Sequence, residues 1–94
     1  MGDHYVIAIT DIMPEEVLSD EQMDALKEKL IEALEPLNTK MEVCQYVPIA
    51  YGLRKFQCRL IIPEEVEGGT QPVEDALEAV DGIQRVEVGM VSRT

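Results

Sequence analysis

The side chains in this 94-residue chain that could carry out covalent or metal chemistry are one histidine, two cysteines and 19 carboxylates. His4 stands alone near a terminus, so neither a histidine metal set nor a Ser-His-Asp triad can be assembled around it, and it reads as a surface residue. The carboxylates gather on helix faces and in Pro63-Glu64-Glu65-Val66-Glu67, where solvation accounts for them without acid-base catalysis or a metal. Cys44 and Cys58 lie in apolar segments with no CxxC spacing and no histidine close by. Buried reduced thiols are the expectation, and a disulfide between neighbouring strands is the alternative. Gly68-Gly69-Thr70 lacks the lysine of a P-loop and reads as a turn followed by a helix cap. These residues predict no catalytic group, no metal and no cofactor, so the chain is expected not to be an enzyme.

A different chemistry, non-covalent recognition, is suggested by Val47-Pro48-Ile49-Ala50-Tyr51-Gly52-Leu53-Arg54-Lys55. Two readings of this tract are open. In one, Pro48 and Gly52 shape a hairpin loop, Tyr51 covers core, and Arg54 and Lys55 balance an acidic surface. In the other, an aromatic beside glycine at a loop tip, followed by two cations, offers an anchor to a partner protein.

The elements that must position this tract follow from periodicity. Tyr5, Ile7 and Ile9 alternate with Val6, Ala8 and Thr10 in a β-branched stretch closed by Pro14, which predicts a strand. Ser19 and Gln22 have the spacing of a capping box. Met23, Leu26, Leu30 and Leu34, with Ala33, then form the apolar face of a helix that Pro36 should end. Residues 41–46 and 53–62 read as strands joined by a long loop. Thr70 is expected to cap a second helix with Val73, Ala76, Leu77 and Val80 on one face, and Gly82 to stop it in the left-handed conformation. A last strand places Val86, Val88 and Met90 on one face. The order βαββαβ predicts an α+β ferredoxin-like two-layer sandwich, with a four-stranded antiparallel sheet and both helices on one face. The first and fourth strands are expected to be central or beside the third. Residues 1–94 are expected to make a single domain, since a chain of this size supports one core.

Composition narrows the partners. The net charge of −11 repels nucleic-acid backbones and anionic membranes, and no apolar run approaches the ~20 residues of a membrane span. Ferredoxin-like RNA-binding domains also need aromatics on the central strands, and here only Phe56 lies in such a strand among basic neighbours. The start, Met1-Gly2-Asp3-His4-Tyr5-Val6-Ile7, has neither the basic segment nor the long apolar stretch of a secretory signal, so a cytoplasmic location is expected. The eight basic residues are uneven: Arg54, Lys55 and Arg59 cluster, and Arg85 and Arg93 lie near the C-terminus, a distribution that leaves room for a local cationic site on an acidic body.

The tract VPIAYGLRKFQ resembles the signature of the exchange domain of elongation factor 1-beta: proline, two small or aliphatic residues, an aromatic, glycine, an aliphatic and two cations. The likeness continues through the acidic loop 63–67, the Gly-Thr before the second helix and the closing strand, and covers nearly the whole chain. Without the N-terminal extension of eukaryotic forms, and with its acidic start, the chain is similar to the short archaeal form. The resemblance implies a guanine-nucleotide exchange factor that binds the GTPase elongation factor 1-alpha and promotes GDP release and GTP loading during polypeptide elongation. It also implies that Tyr51 docks against the GTPase, flanked by Pro48, Gly52, Arg54 and Lys55. The family's penultimate lysine, which disturbs the magnesium and phosphate region, matches Arg93, a departure that keeps the charge but replaces a compact ammonium with a planar fork. A monomer when free is expected. Two rival readings are a small ferredoxin-like ligand-binding regulatory module that dimerises through its sheet, and an acylphosphatase-like hydrolase, for which Asn38 is the only asparagine available.

Overall fold

The computed structural model describes residues 4–63 and 70–93. In chain order these form β1 (Tyr5–Pro14), α1 (Asp20–Leu34), a 3-10 turn (Glu35–Leu37), β2 (Lys40–Ala50), β3 (Leu53–Pro63), α2 (Gln71–Glu78) and β4 (Ile83–Arg93). The expected βαββαβ order and α+β ferredoxin-like sandwich are present. The four strands form one antiparallel sheet in the order β2-β3-β1-β4.

Alternation decides which face of the sheet is covered. Ala8, Thr10, Ile12 and Pro14 of β1 are buried, as are Phe56, Cys58, Leu60 and Ile62 of β3, while the residues between them are partly or fully exposed. The buried set forms one core with Met23, Leu26, Leu30 and Leu34 of α1 and Val73 and Leu77 of α2, so both helices lie on the same face. α1 starts as its sequence dictates. The Ser19 hydroxyl accepts from the Gln22 backbone N–H at 3.2 Å, and the Gln22 side-chain oxygen accepts from the Ser19 N–H at 2.9 Å. It ends where Pro36 enters the 3-10 turn, and Asn38 follows with φ 52°, its N–H donating to the Glu35 carbonyl. Asn38 is thus a left-handed cap rather than a ligand for phosphate.

The structure corrects several expectations. β2 and β3 are joined by the two-residue turn Tyr51-Gly52, not by a long loop, because β2 continues through Pro48 to Ala50. Proline is admissible there since β2 is an edge strand, and a register shift at Ile49 absorbs it. β1 is central, but β4 is an edge strand that pairs with β1 and not with β3. Met90 does not share the core face of Val86 and Val88. The β1–β4 register shifts between Ile9 and Thr10, so Val88 faces Thr10 while Met90 faces Ile9 on the open side, where it is exposed. Thr70 precedes α2 without a side-chain cap, and its hydroxyl instead donates to Glu74 Oε2 at 3.1 Å. Gly82 does take φ 95°, but α2 ends earlier, at Glu78, and the glycine turns the chain into β4. The expected turn at Gly68-Gly69, the acidic stretch 64–67 and the start Met1-Gly2-Asp3 lie outside the described residues.

Candidate functional site

A two-residue connection between antiparallel strands favours a turn with positive φ at both central residues, since that geometry matches the strands' twist. Tyr51 (φ 52°) and Gly52 (φ 81°) both satisfy it. Glycine does so freely. Tyrosine does not, and a bulky residue in this region is an outlier that costs on the order of 1–3 kcal/mol. The Tyr51 ring is also 100% exposed, so no burial within this chain offsets that strain. The reading in which Tyr51 covers core is therefore overturned. Ile49 and Val17 are exposed nearby, and a Cβ on Gly52 would meet Val17 Cγ1 at 3.7 Å, so Val17 lies against the turn. The apolar end of the hairpin is thus Tyr51, Ile49 and Val17. Val17 escapes sequence inspection because it precedes α1 and belongs to no periodic pattern.

The two cations behind the tip diverge. Arg54 and Lys55 are consecutive in β3, so their side chains leave opposite faces of the sheet. Arg54 turns toward the helix layer, where its guanidinium donates to Asp20 Oδ1 at 2.6 Å and to the Leu18 carbonyl at 2.9 Å. It also sits 5.9 Å from the centre of the Tyr46 ring. Tyr46 in turn donates to Asp24 Oδ1 at 2.5 Å and meets the buried Phe56 edge-on at 5.4 Å. Burial first, and then the Asp24 hydrogen bond, push the Tyr46 hydroxyl well above its ordinary range. Lys55 turns to the open face and donates to Asp11 Oδ2 at 3.0 Å. The pair therefore straps the base of the hairpin to α1 on one side and to β1 on the other. Phe56, fully buried under the helices, has no face free to stack a nucleobase.

Arg93 lies at the other end. Its backbone pairs with Val6, and Val6 pairs with Ile62 on the opposite side of β1. From Leu53, at the hairpin tip, to Ile62 is nine residues, or about 30 Å at about 3.3 Å per residue. The long axis of the domain is 46 Å. Pro48, Tyr51, Gly52, Arg54 and Lys55 are thus brought together at one end, and Arg93 is not among them. Near its end the surface exposes Met90 and Val91.

Other chemistry finds less support. No group of three or more His, Cys, Asp or Glu side chains among the described residues is arranged to hold a metal. No described helix is long and apolar enough to cross a membrane. An open groove of about 370 Å³ runs between the start of α1 and the Asp81-Gly82 turn, lined by Glu15, Glu16 and Lys29 among others, on neither the hairpin tip nor the open sheet face.

An exposed, strained aromatic stands at the hairpin tip, and comparison with known proteins shows the family to which the chain carrying it belongs. Residues 7–94 match the EF-1 guanine nucleotide exchange domain. The chain belongs to this family. It is 36% identical over 88 residues to elongation factor 1-beta of Staphylothermus marinus, covering 94% of each chain. To the proteins of that name from Hyperthermus butylicus and Methanococcoides burtonii it is 37% identical over 90 residues and 38% over 93, covering 94% and 99% of this chain and 92% and 98% of theirs. As a member of the family, the chain is a translation elongation factor of the nucleotide-exchange type.

Proposed function

We propose that this exchange domain acts on the GTPase elongation factor 1-alpha in the cytoplasm, holding it at two separated points. Tyr51 is the anchor, and the cationic Arg93 works at the magnesium and phosphate region of the bound nucleotide. The observation that carries the reading is the fully exposed Tyr51 at positive φ, an arrangement that costs stability and is repaid only by a partner. Pro48 and Gly52 shape the turn that presents the ring. Arg54 and Lys55 keep the hairpin rigid through Asp20 and Asp11, so that the ring arrives preorganised.

Exchange needs no bond to be made. A factor that binds the nucleotide-free GTPase more tightly than the GDP-bound form lowers GDP affinity by the same ratio. Moving such an equilibrium from 1:99 to 99:1 takes about 5.5 kcal/mol of differential affinity, within reach of one buried aromatic anchor and one charge near the phosphates. The net charge of −11 favours rapid encounter with a basic partner. On this reading the factor is not a catalyst of covalent chemistry, is a monomer when free, and touches neither nucleic acid nor membrane directly.

Stopped-flow release of fluorescent GDP from elongation factor 1-alpha tests it. The wild-type chain should accelerate release, and Tyr51→Ala should lose most of that acceleration. No acceleration by the wild type would end the exchange reading, and full acceleration by Tyr51→Ala would remove the ring from its role.

A further inference from the structure

Cys44 and Cys58 are absorbed by neither the hairpin tip nor the cationic end. They are directly opposed in the β2–β3 ladder, and both lie on the helix face, Cys58 within the core and Cys44 packed against it. Opposed residues of antiparallel strands have Cα atoms about 4.5–5.5 Å apart, inside the window of about 4.4–6.8 Å that a disulfide spans. The Cys58 thiol donates to Cys44 Sγ with the sulfurs 3.3 Å apart, and both cysteines are free. β2 is an edge strand, which leaves Cys44 only partly buried, whereas Cys58 is sealed beneath the helices. We propose that Cys44 and Cys58 form a redox-modifiable dithiol that closes to an intramolecular disulfide on reaction with a small-molecule disulfide of the oxidised glutathione class.

The order of events follows from exposure and charge. The hydrogen bond from Cys58, with Lys27 of α1 nearby, holds the Cys44 thiol below its ordinary range. The same hydrogen bond and burial, with Asp11 of β1, push Cys58 up, so Cys44 supplies the thiolate. Cys44 Sγ attacks one sulfur of the reagent, a mixed disulfide forms, and half of the reagent leaves as a thiolate. Cys58 then gives up its proton to solvent and its Sγ attacks Cys44 Sγ, expelling the second half. The two cysteines together lose two protons and two electrons, which end on two molecules of reduced reagent. The product ties the edge strand to a central one. Each cysteine is seven residues from Tyr51 (51 − 44 and 58 − 51), so the crosslink braces the hairpin symmetrically behind its tip. This inference does not depend on the exchange reading.

The test is to hold the purified chain, native and urea-unfolded, with oxidised glutathione, quench with acid, alkylate in denaturant and measure intact mass. The native wild type should lose the mass of two hydrogens and take no label, with closure at least about tenfold more favourable than in the unfolded chain. Cys58→Ser should stop at one glutathione on Cys44, and Cys44→Ser should react about tenfold more slowly through buried Cys58. Two labelled thiols, a stable mixed disulfide on the native wild type, or closure no better than in urea overturns the proposal. Should Cys58→Ser fail to fold, the wild-type comparison decides alone.

Discussion

Replacing Tyr51 with asparagine separates the backbone strain at this position from the anchor role proposed for its ring. At φ 52° tyrosine carries a cost on the order of 1–3 kcal/mol, whereas asparagine enters this region readily and Asn-Gly is the favoured pair for a turn of this kind. The ring is fully exposed, so its removal gives up no buried area in the isolated domain. Tyr51→Asn should therefore stabilise the free protein by about 1 kcal/mol. In a domain of this size that raises the Tm by about 4–8 °C, read by thermal denaturation followed by circular dichroism. The partner experiences the opposite. Loss of an aromatic anchor costs about 2 kcal/mol or more, which weakens binding about 30-fold, read by titration against the GTPase and by the rate of labelled GDP release. Tyr51→Phe, which keeps the ring, should retain most of the activity. A lowered Tm in the asparagine variant would refute the strain argument, and undiminished GDP release in a well-folded variant would refute the anchor.

Other expectations follow from the same geometry. Arg93→Ala should reduce the maximal rate of GDP release, while Arg93→Lys should restore it if positive charge alone is needed; stopped-flow kinetics decide between charge and shape. Ser19→Ala should remove half of the capping box and destabilise the domain by about 1 kcal/mol, measured by urea unfolding with an unchanged m-value. Arg54→Ala should weaken the strap from β3 to α1 and slow GDP release without changing its maximal rate at saturating factor, since the hairpin loses rigidity and not its anchor. Raising salt from about 0.05 to 0.5 M should slow association with the GTPase much more than it speeds dissociation, as expected for an acidic body steered to a basic partner.

The fold was readable because most of its signals are local. The Ser19/Gln22 capping box, the spacing of Met23, Leu26, Leu30 and Leu34, and the alternation in β1 each act within a few residues, and all three appear in the structure. The misplacements arise where partner strands decide. Nothing near Met90 reveals the register shift opposite Ile9 and Thr10 that moves it to the open face. Pro48 reads as a loop residue because proline cannot serve a central strand, and only the strand order shows that β2 is an edge. The site divides similarly. Tyr51-Gly52 announces a turn, but the adjacency of Arg54 and Lys55 suggests one cationic patch, when alternation in a strand sends them to opposite faces, each toward its own carboxylate.

The separation of about 30 Å between the hairpin tip and Arg93 constrains how this domain can work. A factor that merely occupied the nucleotide pocket would need one end. The anchor proposed at the far end of a rigid sheet would have a different effect, because docking there would fix where the C-terminal end of β4 falls on the partner. The sheet suits this use. β1, paired on both sides, joins β3 of the hairpin to β4, and the straps Arg54–Asp20 and Lys55–Asp11 resist bending where the hairpin leaves the core. If Tyr51 is the anchor proposed above, binding energy gained there raises the effective concentration of the cationic end at its target without new contacts between them, as in any two-point attachment. On the proposed reading, the stiffness of the sheet would couple an apolar anchor to an electrostatic perturbation elsewhere on the GTPase.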